Sequence, residues 1–280
     1  MSISIPKSET QLHIVALGSS FAAGPGIPPA ADKGAGRSAQ NYAHILAARL
    51  GARLTDLSVS GATLQNLLDE PQVFFGRQFP PQVSELPADA DIVTITGGGN
   101  DIGYVGGMMR DCLAASFVGR IIGLLRKVPN MEVVLMVEAV RDRLVAIIDK
   151  IHEVAPKTRI YLVEYLTLLG PDTQPGVSVS LSAEQIKRHQ EVAAMLQEGY
   201  QLAAAARPEV EVIPIAELSR EHALGSKEPW VEGFSLGVLV ARKAPFHPNA
   251  EGMRNVARIL EERLESPEGT WVSRRSGRVE

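Results

Sequence analysis

The chain has a single cysteine, Cys112, in 280 residues, so no disulfide can form within it and nothing in its cysteine usage argues for an oxidising compartment. It also lacks a long apolar run. Arg120, Arg126, Lys127, Glu132, Glu138, Arg141, Asp142 and Arg143 interrupt its most hydrophobic region, which leaves no integral membrane segment. Residues 1–10 are polar and the apolar run behind them is too short for a signal-peptide core, so the expected location is cytoplasmic. A formal net charge of −4 and a pI near 5.9 provide no basic field for nucleic acid or an anionic membrane. Phosphate-binding motifs are missing too: there is no Gly-Lys-Ser/Thr, and the loop from Gly18 to Gly24 lacks the second glycine of the dinucleotide fingerprint. Histidines do not recur at metal-ligand spacing. His13 lies in a strand pattern, His44 in a helical one, His152 and His189 on polar helix faces, and His222 in a loop. Neither a metal nor a cofactor is therefore expected. No internal repeat or low-complexity segment divides the chain. Its length suits one enzyme-sized domain over 1–280, with 1–10 and 266–280 as peripheral tails.

What is present is a set of short motifs placed at the ends of strand-like runs. Leu12-His13-Ile14-Val15-Ala16-Leu17 reads as a buried parallel strand that stops at Gly18, and Gly18-Ser19-Ser20 follows it. Residues 54–59 form a second, weaker run, interrupted by Thr55, Asp56 and Ser58, which leads into Ser60-Gly61. Residues 91–96 have the highest β-branched content, and Gly97-Gly98-Gly99-Asn100-Asp101 comes directly after them. In an open parallel sheet the strand exits share one edge, and ligands bind in the crevice there. The spacing therefore predicts that Ser20, Gly61 and Asn100 converge.

A fourth motif, His247-Pro248-Asn249, supplies what the first three lack for serine hydrolysis. Ser20 would be the nucleophile and His247 its base. The N–H groups of Ser20 and Gly61, with the Asn100 amide, would hold the oxyanion. Each residue also has a plain structural reading: Ser20 as a helix cap, Gly61 as a tight turn, Gly-Gly-Asn-Asp as turn chemistry, and His247 as the entry to a helix capped by Asn249. It is their order and their common place at strand exits that favour the catalytic reading.

These residues resemble the SGNH-hydrolase superfamily, the GDSL-like esterases and lipases, over the span from Leu17 to Gly252. The family's Gly-Asp-Ser block matches Gly18-Ser19-Ser20, its second-strand glycine matches Gly61, its Gly-x-Asn-Asp block matches Gly98-Gly99-Asn100-Asp101, and its final Asp-x-x-His block matches Ala244-Pro245-Phe246-His247. The resemblance implies a three-layer α/β/α sandwich with a flavodoxin-like five-stranded parallel sheet in the order 2-1-3-4-5. It also implies ester hydrolysis on a small-molecule substrate. Two positions depart from the pattern. Ser19 replaces an aspartate, and is expected to bond locally to backbone instead. Ala244 replaces the acid of the triad, so the expected centre is a Ser-His dyad in which a backbone carbonyl, of Ala244 or a neighbour, accepts from His247. Glu228 and Glu232 are alternative acids. A non-catalytic binding module and an acyltransferase on the same fold are the competing readings, and oligomeric state is left open.

The remaining segments complete the layout. Residues 131–154 read as a crossover helix, and 102–125 as a candidate lid or pocket wall. Residues 158–164 and 210–213 are the fourth and fifth strands. Ser182-Ala183-Glu184-Gln185 is a capping box opening a helix through Ala206. Residues 216–243 form a long connection with at most a helical turn near Leu218, in which Trp230 and Phe234 either line the substrate cleft or merely fasten the loop. Residues 250–264 form the last helix.

Overall fold

Short apolar runs become five parallel strands: β1 (His13–Gly18), β2 (Arg53–Asp56), β3 (Ile92–Thr96), β4 (Arg159–Val163) and β5 (Glu211–Ile213). The computed structural model describes residues 11–115 and 136–266. The expected tails, apart from Ser266, and the part of the candidate lid from 116 to 125 lie outside the described residues, as does the start of the crossover helix at 131–135. The spatial order β2-β1-β3-β4-β5 is the flavodoxin-like 2-1-3-4-5 arrangement. Burial follows position in the sheet. Every residue of β1 and β3 is buried, as expected for strands covered on both faces, whereas β2 at the edge is only partly covered. That accounts for Thr55, whereas Ser58 lies beyond the strand and is fully buried against Asp56.

Strand β2 ends at Asp56, three residues short of the expected 59, because its carboxylate turns back on the chain. Asp56 accepts from the Ser58 N–H (3.0 Å) and hydroxyl (2.6 Å) and from the Asn41 amide (2.7 Å). The chain still follows β1, with the Leu57 N–H on the Ala16 carbonyl and the Val59 N–H on that of Gly18. The other four strands lie within a residue of expectation at each end.

Among the described residues seven main helices flank the sheet: α1 (Ser20–Ala23), α2 (Tyr42–Arg49), α3 (Leu64–Leu68), α4 (Tyr104–Ala115), α5 (Val137–Val154), α6 (Ala183–Ala206) and α7 (Ala250–Glu265). They pack in two groups. Helices α2 and α7 contact each other, while α6 packs against α4 and α5, and α5 against α3. The crossover helix α5 buries Val140, Leu144, Ile147, Ile148 and Ile151, which recur at helical spacing. It meets α6 at Gly199, where a Cβ would stand 2.7 Å from Val140 Cγ1. The predicted caps form: Ser182 and Gln185 make a reciprocal capping box, and the Asn249 side chain accepts from the Gly252 N–H at 2.8 Å. Within residues 216–243 the expected turn near Leu218 forms as a short helix at Ile215–Leu218, and a second short helix at Leu236–Val240 goes beyond that expectation. Among the described residues no helix is long and apolar enough to cross a membrane.

The exit of β1 is held from a distance. Gln82 presents its amide edge to the backbone of Gly18, accepting its N–H at 2.8 Å and donating to its carbonyl at 2.9 Å. Gln82 itself is buried. Gly18 is required there, because φ is +148° and a Cβ would lie 2.3 Å from the Thr96 carbonyl oxygen. Substituting Gln82 with alanine would leave the Gly18 N–H buried without this acceptor, and urea unfolding should show a loss of about 1–3 kcal/mol. A variant as stable as the parent would mean that the backbone of Gly18 finds another partner.

Candidate active site

Three turns meet at the carboxyl edge of the sheet. The first follows β1, where the Ser19 N–H bonds to the Thr96 carbonyl at 2.9 Å and Ser20 opens the four-residue helix α1. A helix leaves its first N–H groups without intrahelical acceptors, so the Ser20 N–H is free of the helix ladder. The second turn carries Gly61, at φ +82°. A Cβ would find room there, its nearest neighbour being Gln72 Nε2 at 3.5 Å, so it is the positive φ that calls for glycine. The third follows β3, where Asn100 donates through Nδ2 to the Ala62 carbonyl at 2.8 Å. That bond ties the third turn to the second. A side-chain amide has two N–H donors, so one remains for a ligand.

His247 comes to this edge from the other end of the chain. Its segment is pinned to residues 230–232 by Val231 bridging Pro248, by the Glu232 N–H on the His247 carbonyl, by the Phe246 N–H on the Glu232 carbonyl and by the Asn249 N–H on that of Trp230, each of these three bonds 2.9 Å long. Phe246, fully buried, adopts φ +58°, a conformation costly for a bulky residue and held here by those contacts. The imidazole then lies with Nε2 2.8 Å from Ser20 Oγ and Nδ1 2.7 Å from the Pro245 carbonyl. A carbonyl only accepts, so Nδ1 carries the proton and Nε2 is left with its lone pair toward the Ser20 hydroxyl.

Several expectations about the surroundings are corrected. Glu232 does not replace the missing acid, because its carboxylate pairs with Lys243 at 2.7 Å. The Nδ1 position, which Glu228 was also considered to fill, is held by the Pro245 carbonyl; the Glu228 carbonyl takes the His222 Nδ1 at 2.9 Å. Ser19 makes no side-chain cap to its own helix and bonds instead to Tyr165 Oη at 2.8 Å. Trp230 is buried and stacked on the His222 ring at 4.0 Å. Phe234 stacks on Phe246 at 5.8 Å, against the segment that carries His247. His189 is not on a polar face: it is buried, with Nε2 2.7 Å from Asp111. In the candidate lid, α4 buries Tyr104, Met108 and Cys112. Burial pushes the Cys112 thiol up to about 11, which makes it a poor competing nucleophile.

Sequence reasoning missed the groups that hold the turns. Asp101 accepts the Leu64 N–H at the start of α3 (2.9 Å) and pairs with Arg143 (2.7 Å), while burial raises its carboxyl above the ordinary range. Tyr200 both accepts from the Gly97 N–H and donates to the Gly97 carbonyl. Nothing in the local pattern around Tyr200, at the far end of α6, marks it for that task. A cavity of about 320 Å³ at the exits of β4 and β5 has Tyr165, Tyr104, Glu164 and Leu196 in its wall, and neither Ser20 nor His247 lines it. Among the described residues no group of three or more His, Cys, Asp or Glu side chains could hold a metal ion.

Solved structures share this fold. The extracellular lipase of Streptomyces rimosus matches with a TM-score of 0.67 at 21% identity, over 90% of this chain and 99% of that one. The phospholipase A1 of Streptomyces albidoflavus NA297 matches with a TM-score of 0.68 at 20% identity, over the same shares of the two chains. Lipase 2 of Streptomyces coelicolor is 40% identical over 95 residues, a stretch that makes up 32% of this chain and 30% of that relative. The matched region is therefore less than a third of that protein. Residues 16–254, which include all four motifs, match the GDSL-like Lipase/Acylhydrolase family, and the chain belongs to it.

The His247 ring is half-buried, and loss of solvent disfavours its cation more than the Pro245 carbonyl favours it, so its pKa lies below the ordinary 6.5. The neutral imidazole, the form able to accept a proton, therefore persists to lower pH than in an unperturbed histidine. An NMR titration of His247 should give an apparent pKa under 6.5. A value at or above 6.5 would contradict the burial argument.

Proposed function

We propose that this protein hydrolyses carboxylic esters of small molecules through a Ser20–His247 dyad. The observation that carries the reading is the pair of bonds on His247, Nδ1 to the Pro245 carbonyl and Nε2 to Ser20 Oγ. In the first step His247 Nε2 takes the Ser20 proton as Oγ attacks the ester carbonyl. The oxyanion that forms is held by the N–H groups of Ser20 and Gly61 and by the free N–H of the Asn100 amide. His247 returns the proton to the leaving alcohol, leaving an acyl-Ser20. Water, deprotonated by the same imidazole, then releases the acid and restores the serine. The reaction needs no cofactor and no nucleic-acid partner.

A dyad of this kind differs from a triad in one respect. Both fix the tautomer, but a neutral carbonyl compensates the imidazolium less than a carboxylate does. In a serine-protease triad, exchanging the acid for its amide costs about 10⁴ in rate, about 5 kcal/mol, largely through the wrong tautomer. Because Pro245 supplies the right one, the cost of Ala244 should be only the smaller, electrostatic share. Membership of the GDSL-like family supports the hydrolytic reading over a binding module.

A fluorophosphonate probe should label the parent protein at Ser20 and leave Ser20→Ala unlabelled; labelling at another residue, or none, would refute the assignment. Asn100→Ala should lower kcat on a short-chain aryl ester by about 10²–10³. Turnover equal to the parent's would remove Asn100 from the mechanism.

A further inference from the structure

Ser19 stands where the family has an aspartate, and its side chain leads to a residue just past the end of another strand. Tyr165 is the second residue past the end of β4, and its hydroxyl makes two bonds: 2.8 Å to Ser19 Oγ and 3.1 Å from the Gly99 N–H. Ser19 precedes Ser20, and Gly99 precedes Asn100. The phenol oxygen therefore bridges the turn carrying the nucleophile to the turn carrying the oxyanion amide. Both Ser19 and Tyr165 are buried, at 1% and 7% exposure.

The ring is fixed as firmly as its hydroxyl. It packs on Phe21, the residue after the nucleophile, with centroids 4.3 Å apart, and on Tyr104 edge-on at 6.2 Å. On the other turn, Gly99 lies so near the ring that a Cβ there would stand 2.7 Å from Tyr165 Cε1. Two further buried tyrosines reach the same edge without making this link. Tyr42 bonds to Thr94 and Thr96, and Tyr200 to Gly97, so each acts on β3 and its exit. Burial pushes the Tyr165 hydroxyl up to about 12, so the neutral phenol persists throughout the working pH range.

We infer that Tyr165 is a positioning residue which sets the distance between Ser20 and the Asn100 amide by bonding to Ser19 and Gly99 at once. It touches no reacting atom. Its effect runs through the alignment of the oxyanion donors with the attacking oxygen, where misplacement by about an ångström can cost about 10²-fold in rate. The inference rests on the reading that Ser20 and Asn100 act together on one ester.

The test is Tyr165→Phe, which deletes both hydrogen bonds and keeps the ring on Phe21 and Gly99. On a short-chain aryl ester, kcat should fall by about tenfold or more with KM within about twofold. A merely structural role predicts a lower Tm with kcat intact below it. In an Asn100→Ala background the same substitution should cost at least about threefold less, because the amide it aligns is gone. Equal losses in both backgrounds, or an unchanged kcat, would overturn the inference. Should Tyr165→Phe fail to fold, Ser19→Ala breaks the bridge from its other end and should reproduce the fall in kcat with KM preserved; full activity there would overturn it equally. Ser20→Ala separates the two levels. If that variant still turns over ester, the dyad itself is wrong; if it is inactive while Tyr165→Phe keeps full kcat, only the positioning role is wrong.

Discussion

The hydrogen bond from His247 Nδ1 to the Pro245 carbonyl is the constraint on which the candidate site depends. Without an acceptor at Nδ1 the imidazole is free to carry its proton on Nε2, and it would then face Ser20 as a donor. The carbonyl is only two residues away in sequence, so the loop must fold tightly back for the bond to form. Phe246, between the two, takes up the required turn at a positive φ, and the pairing of residues 230–232 with 246–249 holds it there. The strain is local, and several backbone bonds offset it. In this way a chain with alanine at the acid position keeps its histidine oriented without a carboxylate.

The same economy of groups is visible at the exits of the strands. A parallel ladder stops at its last residue, and the backbone N–H and C=O groups just beyond must find partners or remain unsatisfied in a buried setting. Here they are met by side chains from remote segments: Gln82 on Gly18, Tyr200 on Gly97 and Tyr165 on Gly99. Asp101 does likewise for the first N–H of α3. Each bond completes the hydrogen bonding of a turn and also fixes where the next residue lies. Stability and site geometry are thus carried by the same contacts.

Glycine makes these approaches possible for two different reasons. At Gly18 and Gly99 the space for a Cβ is taken by the Thr96 carbonyl and by the Tyr165 ring. At Gly61 space is available and the backbone conformation is the requirement. The distinction matters for how each would respond to substitution, since a side chain at Gly99 would push the Asn100 turn away from the Tyr165 ring whereas one at Gly61 would act through φ.

By itself the sequence determined the elements and their order. Apolar runs of strand length, helical periodicity in α5, the Ser182 and Asn249 caps and the glycine-rich exits are all local signals, read from residues within about a turn or a strand of one another. The strand-exit motifs placed Ser20, Gly61 and Asn100 at one edge, because in a parallel sheet every strand exits on the same side, whereas His247 was assigned to that edge only by the family resemblance. The family resemblance also marked Ala244 as a gap where the family carries an acid. Only the tertiary structure decided what fills that gap. Choosing Pro245 over Glu232 depends on where a carboxylate and a carbonyl point, and Lys243 had already drawn Glu232 away. Ser19 meeting Tyr165, and His189 being buried on Asp111, depend likewise on contacts between residues 146 and 78 positions apart. Such pairs leave no trace in a local window, since it is the folding of the sheet and its crossovers that brings them within reach.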